Sequence, residues 1–405
     1  MRSTLLIAAV VAAGLFVAIA QQPATGPAAS TTSASGPTPA TSSVLPGMRA
    51  GRAYETASPD AKRLAYVTSA AEGEIMVIDG QKGSPYTMLG RPVFSSDSKR
   101  IAFTAQKGDK WHVVVDGKLS AAYDEVSDGL FSPDSSRLAY VAGKGDKQFL
   151  VVDDQEGDPF AEIQSDTVTF SPNSKRVACV VRKGKGFAMV CDGRVGEVFS
   201  AVDSPVFSPS SRRLAYKVYI GRQDAKQAVV VDGLPSEQYE QVESGPVFSP
   251  DSKQVAFAAK AGEKTSIYVN LKPQDKQYLG VSDLAYIPGG ELAFVASAGA
   301  RQYVVIAGQK GTTYDRIIPG TITFSPDGKH WAYIVEGDDL MVVLDGRDHK
   351  VSKAAKQCPL VVSDDGSVEY GVRIDGPNFK PEQYGETRHR IKPAATMPAA
   401  SQERA

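Results

Sequence analysis

Histidine, cysteine and tryptophan are scarce: four, three and two in 405 residues. His112, His330, His349 and His389 lack the spacing of a metal-ligand set, so neither a metal nor any other cofactor is expected. The odd cysteine count, Cys179, Cys191 and Cys358, leaves at least one thiol unpaired within a monomer. Charge of one sign is also missing. Lys and Arg number 45 against 46 Asp and Glu, a net charge of -1, and no long basic block occurs, which excludes the electrostatic footprint of nucleic-acid binding. There is no GxSxG elbow, no GxxxxGK phosphate loop and no HExxH pair. The two GlyLysGly stretches, at Gly143 and Gly184, lie between strand patterns and lack the following helix that a phosphate site requires.

Long apolar runs are absent outside the first twenty residues. Arg2 followed by Leu5 to Ile19 and a small-residue pattern ending at Ala20 reads as an export signal cleaved before Gln21. The run is short for a membrane span of about 20 residues, so no span remains after cleavage. With no cysteine at the cleavage site the lipoprotein route is closed, and the mature chain is expected to be secreted or periplasmic. Residues 21–49 are rich in Pro, Ala, Ser and Thr and cannot bury enough apolar area to offset chain entropy, so they read as a disordered linker. Residues 387–405 read as a disordered tail.

What the sequence has in abundance is a repeat, clearest in ProValPheSerProAspSerLysGlnValAlaPhe from Pro246. Marked by the residue before SerPro, copies fall at Ala57, Phe94, Phe131, Phe170, Phe207, Phe248, Tyr286 and Phe324, with a faded ninth at Val362. The gaps are 37, 37, 39, 37, 41, 38, 38 and 38 residues. A fixed period of this size means one supersecondary unit that buries its apolar face only against a neighbouring copy.

In the copy from Gly129 to Asp166, Leu130 and Phe131 end a first strand, and SerProAspSer fits a type I turn. Arg137 to Ala142 form a second strand and Gln148 to Val152 a third. Asp153 stands where most copies have the AspGly turn signal. Phe160 to Ile163 are expected as the fourth strand, matching Tyr123 to Val126 and Tyr314 to Ile317. Four short antiparallel strands per copy predict an all-β β-propeller over residues 50–386, with eight blades and with seven or nine as alternatives. A sandwich does not require such copies, and the period-two pattern excludes a helical solenoid. The ninth copy is expected to close the ring by joining the first blade.

The SerProAsp turns at Pro59, Pro133, Pro250 and Pro326, each followed by a LeuAlaTyr- or ValAlaPhe-like strand, resemble the WD-like repeats of the bacterial TolB-type propeller family. The resemblance implies an exported propeller that works through protein contacts, and the propeller is expected to be monomeric. The chain has no room for the additional α/β domain of TolB or a peptidase domain, so a specific TolB role does not transfer.

Asp128, Asp166, Asp203, Glu243 and Asp283 precede the first strands and are expected around the mouth of a central channel. Nine lysines are expected to ring them on the same face: Lys107, Lys110, Lys144, Lys147, Lys183, Lys185, Lys226, Lys260 and Lys264. Turn chemistry alone also accounts for both residue types. The SerProAsp aspartates Asp60, Asp97, Asp134, Asp251 and Asp327 read as turn residues. The neighbouring bases, such as Lys62 with Arg63 or Arg212 with Arg213, read as a solvated rim. Cys179 and Cys191 are expected opposite each other on neighbouring strands, as a candidate disulfide or as two apolar fillers. The leading expectation is a non-catalytic scaffold that binds a protein partner or small ligand on the loop face. The alternative is a hydrolase or lyase using two convergent carboxylates at the channel mouth.

Overall fold

The structure, a computed structural model, describes residues 53–221, 225–337, 339–351, 360–372 and 387–391. The expected export signal, the expected linker and Cys358 lie outside them. The described chain forms eight four-stranded antiparallel sheets and a ninth of three strands, following one another in chain order. The fold is all-β and of the propeller class. In sheets 2, 3, 5 and 8 the first strand is interrupted, and both halves pair with the same second strand. Two compact units result: sheets 1–5 lie in the unit ending at Glu240, and sheets 6–9 in the unit beginning at Gln241.

Sheet 3 shows how local chemistry fixes the pattern. Leu138–Lys144 is buried at six of seven positions and pairs with Lys147–Val152, from Ala139 opposite Val152 to Lys144 opposite Lys147. The two-residue turn between them has Gly145 at φ +60 and Asp146 in the ordinary region, the type II′ pattern. At the next turn Asp153 and Asp154 both have positive φ, the type I′ pattern, and in most copies glycine takes the second place.

The fourth strand is Gln155–Phe160, displaced from the expected Phe160 to Ile163. Ile163 instead opens the first strand of sheet 4, opposite Val181. The same correction holds at Tyr123, which bridges Trp111 at the outer edge of sheet 2, while Glu125–Val126 pairs with the second strand of sheet 3. The outer strand is exposed at five of six positions and contains Pro159. Neither alternation nor propensity marks such a strand; the apolar residues around it mark the corner between sheets.

The ninth copy also differs from expectation. Sheet 1 has its own first strand, Ala53–Ala57, and Leu360–Val362 pairs with Val368–Val372, which pairs in turn with Thr387–Ile391. The start of the expected tail is therefore the third strand of sheet 9.

Within each unit, apolar clusters fill the space between consecutive sheets. Ala178, Val180 and Met189 of sheet 4 pack with Leu214, Tyr216, Val218 and Val230 of sheet 5. In the second unit Ala256, Ala258 and Ile267 of sheet 6 pack with Leu284, Phe294 and Val305 of sheet 7. Burying a side chain of this size contributes about 1.5–3 kcal/mol, so each sheet face is stable only when covered.

Candidate functional site

The polar side chains that recur in most copies hold the sheets together. In sheet 3, Ser132 Oγ donates to Asp134 Oδ1 at 2.7 Å and accepts from Arg137 N at 2.9 Å. Asp134 Oδ1 also accepts from Ser136 N at 3.0 Å. These hydrogen bonds hold the Asp134 carboxyl well below the usual carboxylate range, Ser132 contributing most. The turn also reaches its neighbour, because Asp134 N donates to Ser174 Oγ of sheet 4 at 2.9 Å. Asp60 to Ser98, Asp97 to Ser135 and Asn173 to Ser211 repeat this bond. The SerProAsp aspartates are turn residues, as expected.

Of the bases beside them, Lys62 and Arg212 are exposed as a rim would be, but the arginines that follow are not solvated. Arg137 Nε donates to Asp153 Oδ2 at 2.7 Å, and its Nη1 reaches the carbonyls of Ser174 and Lys175 in sheet 4. Its guanidinium lies 5.4 Å from the ring centre of Phe170. Arg63, Arg100 and Arg176 make the same set of contacts, with Phe94, Phe131 and Phe207 as the rings. Arg213 pairs with Asp232 in the same way. A sequence signal was present: in four copies the arginine precedes its aspartate by sixteen residues.

The five candidate acids lie midway along the first strands, in the irregular stretch that interrupts each one, and not at the strand entry. In sheet 3 the register jumps from Val126 opposite Ala142 to Leu130 opposite Ala139, with Asp128 between them. Hydroxyls secure this irregularity: Ser127 Oγ accepts from Val141 N in sheet 3, and Thr167 Oγ1 accepts from Val180 N in sheet 4.

Asp128 and Asp166 are exposed and have no ion-pair partner among the described residues. Asp203 pairs with Lys217 Nζ at 2.9 Å. Burial lowers the proton affinity of this lysine, but its contacts with Tyr219 and Asp203 more than offset that, and the net shift is upward. Glu243 Oε2 accepts from Thr265 Oγ1 at 2.8 Å and from Val281 N of sheet 7 at 2.9 Å. Asp283 has φ +52, accepts from Gly320 N at 3.1 Å, and is pushed upward in pKa by burial. Three of the five are thus engaged in internal contacts, and among the described residues no hydrogen bond joins any two of the five. No three His, Cys, Asp or Glu side chains among the described residues group to hold a metal ion.

Of the lysines, Lys110 pairs with Asp124 at 2.6 Å, Lys144 with Glu156 at 2.5 Å and Lys147 with Asp146 at 3.6 Å. Cys179 and Cys191 are both free. Cys179 lies opposite Val190 and Cys191 opposite Ala178, so the two thiols point to opposite faces of sheet 4. The turn is centred between Gly184 and Lys185, not on Lys185, and that half-residue shift removes the geometry of a disulfide. Burial pushes the Cys179 thiol up to about 12 and the Cys191 thiol up to about 11. Cys179 is an apolar filler among Val141, Ile163, Val181 and Val190, whereas Cys191 is half-buried and its Sγ accepts from Arg176 Nη2 at 3.1 Å.

No protein-family model matches the chain, and no curated protein sequence matches it. Similar solved structures include a eukaryotic initiation factor, 12% identical over 76% of this chain and 89% of that one, at a TM-score of 0.45. TolB from Acinetobacter baumannii is 17% identical over 53% of this chain and 64% of that one, at 0.27. The Dos1 propeller is 10% identical over 80% and 89%, at 0.34. At such scores the strand order of the sheets, rather than the likeness, identifies the fold.

Proposed function

We propose that the chain is an exported propeller scaffold that binds a protein partner through the surface carrying Asp128 and Asp166, without chemistry of its own. One observation carries this reading. The repeated polar residues are committed to joints between sheets, whereas Asp128 and Asp166, in the irregular stretches of the first strands of adjacent sheets, remain exposed and unpaired among the described residues. Two fixed carboxylates on a rigid surface favour a cationic patch on a partner. The enzymatic reading needs a second carboxylate within reach of the first. Asp283 has the raised proton affinity of an acid, but its contact is the Gly320 amide, not another carboxylate.

The test is affinity capture by the mature chain from cells that produce it, compared with the Asp128→Ala/Asp166→Ala variant. A partner lost at least tenfold by the variant supports the reading. Turnover of a carbohydrate or peptide panel, abolished by Asp283→Asn, overturns it.

A further inference from the structure

Every sheet ends in an outer strand, and an outer strand offers unpaired backbone groups to any extended chain. Most of these edges are blunted. Pro85, Pro159 and Pro273 interrupt those of sheets 1, 3 and 6. Those of sheets 2 and 5 are two residues long, and that of sheet 8 is the short polar ArgAspHisLys. In sheet 7, Arg301 Nη2 occupies the Thr313 carbonyl at 2.9 Å.

The outer strand of sheet 4, Arg194–Phe199, has none of these devices. Its six residues, ArgValGlyGluValPhe, include no proline, and among the described residues no side chain donates to or accepts from their backbone. It shares only the one-residue bulge found in the outer strands of sheets 1, 3 and 7. Val198 is 48% exposed. Two shallow depressions run along the strand, both walled on one side by residues of sheet 5. One, of about 390 Å³, is lined by Lys185, Val198, Phe199 and Ile220; the other, of about 400 Å³, by Val195, Tyr216 and Val230.

The charges around this edge are unbalanced as well. In sheet 3, Lys144 closes the second strand and pairs with Glu156 of the outer strand. The equivalent lysine of sheet 4 is Lys183, but the equivalent of Glu156 is Val195. The replacement that makes the edge apolar therefore also leaves the lysine without its acid. Lys183, Lys185 and Arg194 are exposed, and no carboxylate lies within ion-pair distance of them among the described residues.

We propose that Arg194–Phe199 accepts an extended segment of a partner protein as an added strand, apolar at alternate residues and acidic towards its ends. This deepens the scaffold reading and rests on it. Alternate side chains of an added strand, about 7 Å apart, enter the two depressions, while its acidic residues meet Lys183, Lys185 and Arg194. Glu197 disfavours an acid at the centre.

The test is selection of a phage-displayed library of random ten-residue peptides on the full mature chain. Enriched peptides should lack proline, alternate apolar residues and carry Asp or Glu near the ends. Recovery should fall at least tenfold on Val198→Lys, and on Lys183→Glu/Lys185→Glu enrichment should shift to Lys or Arg at the ends. Both variants alter exposed side chains, and their melting curves check that the fold is kept. Absence of enrichment, enrichment without this pattern, or recovery unchanged on Val198→Lys overturns the proposal. None of these results touches partner capture through Asp128 and Asp166, so the two readings fail separately.

Discussion

Sheets 1–5 and sheets 6 and 8 build the same turn with different side chains at its end, and in sheet 7 the turn is one residue shorter, Ile287 N bonding to Glu291 O at 2.9 Å. Where the first five carry Arg63, Arg100, Arg137, Arg176 and Arg213, sheets 6, 7 and 8 carry Gln254, Glu291 and His330. The backbone is indifferent to the change: Ser132 N bonds to Arg137 O at 3.0 Å, and Ser325 N bonds to His330 O at 2.9 Å. The difference lies in what crosses to the next sheet. His330 Nδ1 keeps the acid, meeting Asp345 Oδ2 at 2.7 Å, but its ring packs on Gly366, where a Cβ would lie 2.9 Å from the ring. Gln254 Oε1 accepts from Tyr286 at 3.3 Å, and opposite Glu291 the turn acid is replaced by Ala307. The serine and the backbone build the turn; the arginine adds a joint between sheets.

Removing apolar packing should exceed any change to these joints. Phe257 is fully buried and stacks on Tyr268 at 5.0 Å between centroids. Phe257→Ala should destabilise by about 3–5 kcal/mol, read from denaturant unfolding and from amide exchange in sheet 6. Arg137→Ala should follow at about 1.5–3 kcal/mol, because it removes a charge-assisted bond and leaves the Ser174 and Lys175 carbonyls short of a donor. A loss at Arg137 as large as that at Phe257 would show that the clamp, not the core, dominates the first unit.

The clamp can also be installed where it is missing. Glu291→Arg with Ala307→Asp places the pair in sheet 7, with Phe324 at the ring position of sheet 8. The partners are partly exposed in the natural examples, the arginine of the Arg137–Asp153 pair being 31% and the aspartate 43% accessible. The expected gain is therefore only about 0.5–1 kcal/mol, seen as a higher melting temperature that the Glu291→Arg change alone does not give. No gain from the double variant would mean that the arginines of sheets 1–5 act through their contacts with phenylalanine and the neighbouring carbonyls, not through the ion pair.

The sequence made the repeat legible because turns and buried strands have strong local chemistry: SerProAsp, AspGly, and alternation in segments such as Leu138–Lys144. It concealed whatever depends on the neighbouring copy. The outer strand Gln155–Phe160 is exposed and contains proline, so no local signal marks it. Arg137 looks like a surface base until Phe170 and the Ser174 carbonyl, more than thirty residues away, are brought against it. Of the candidate acids, Glu243 and Asp283 accept from amides of the following sheet, contacts that no local signal announces. The Cys179 and Cys191 register failed by one residue because a two-residue turn has its centre between residues.

The smallest expected effect tests the turn carboxyl of sheet 3. Asp134 is held below its ordinary value of 3.8 by Ser132, then by Ser136. A carboxyl depressed in the folded state contributes stability that is fully present above the unfolded value and is lost as pH falls through the folded one. Protection of the Ser136 and Arg137 amides should therefore weaken as pH drops below about 4. Sheet 4 supplies a natural control: Asn173 Oδ1 accepts from Ser171 Oγ at 2.8 Å and from Lys175 N at 3.1 Å, the same bonds without a titrating proton. The equivalent amides there, Lys175 and Arg176, should keep their protection over the same range. Asp134→Asn should give sheet 3 the flat response of sheet 4 with little change at neutral pH, as residue-resolved hydrogen exchange at two pH values will report. If the acid response of sheet 3 survives that substitution, the titrating group lies outside the turn, and the turns of the two sheets differ by more than one side chain.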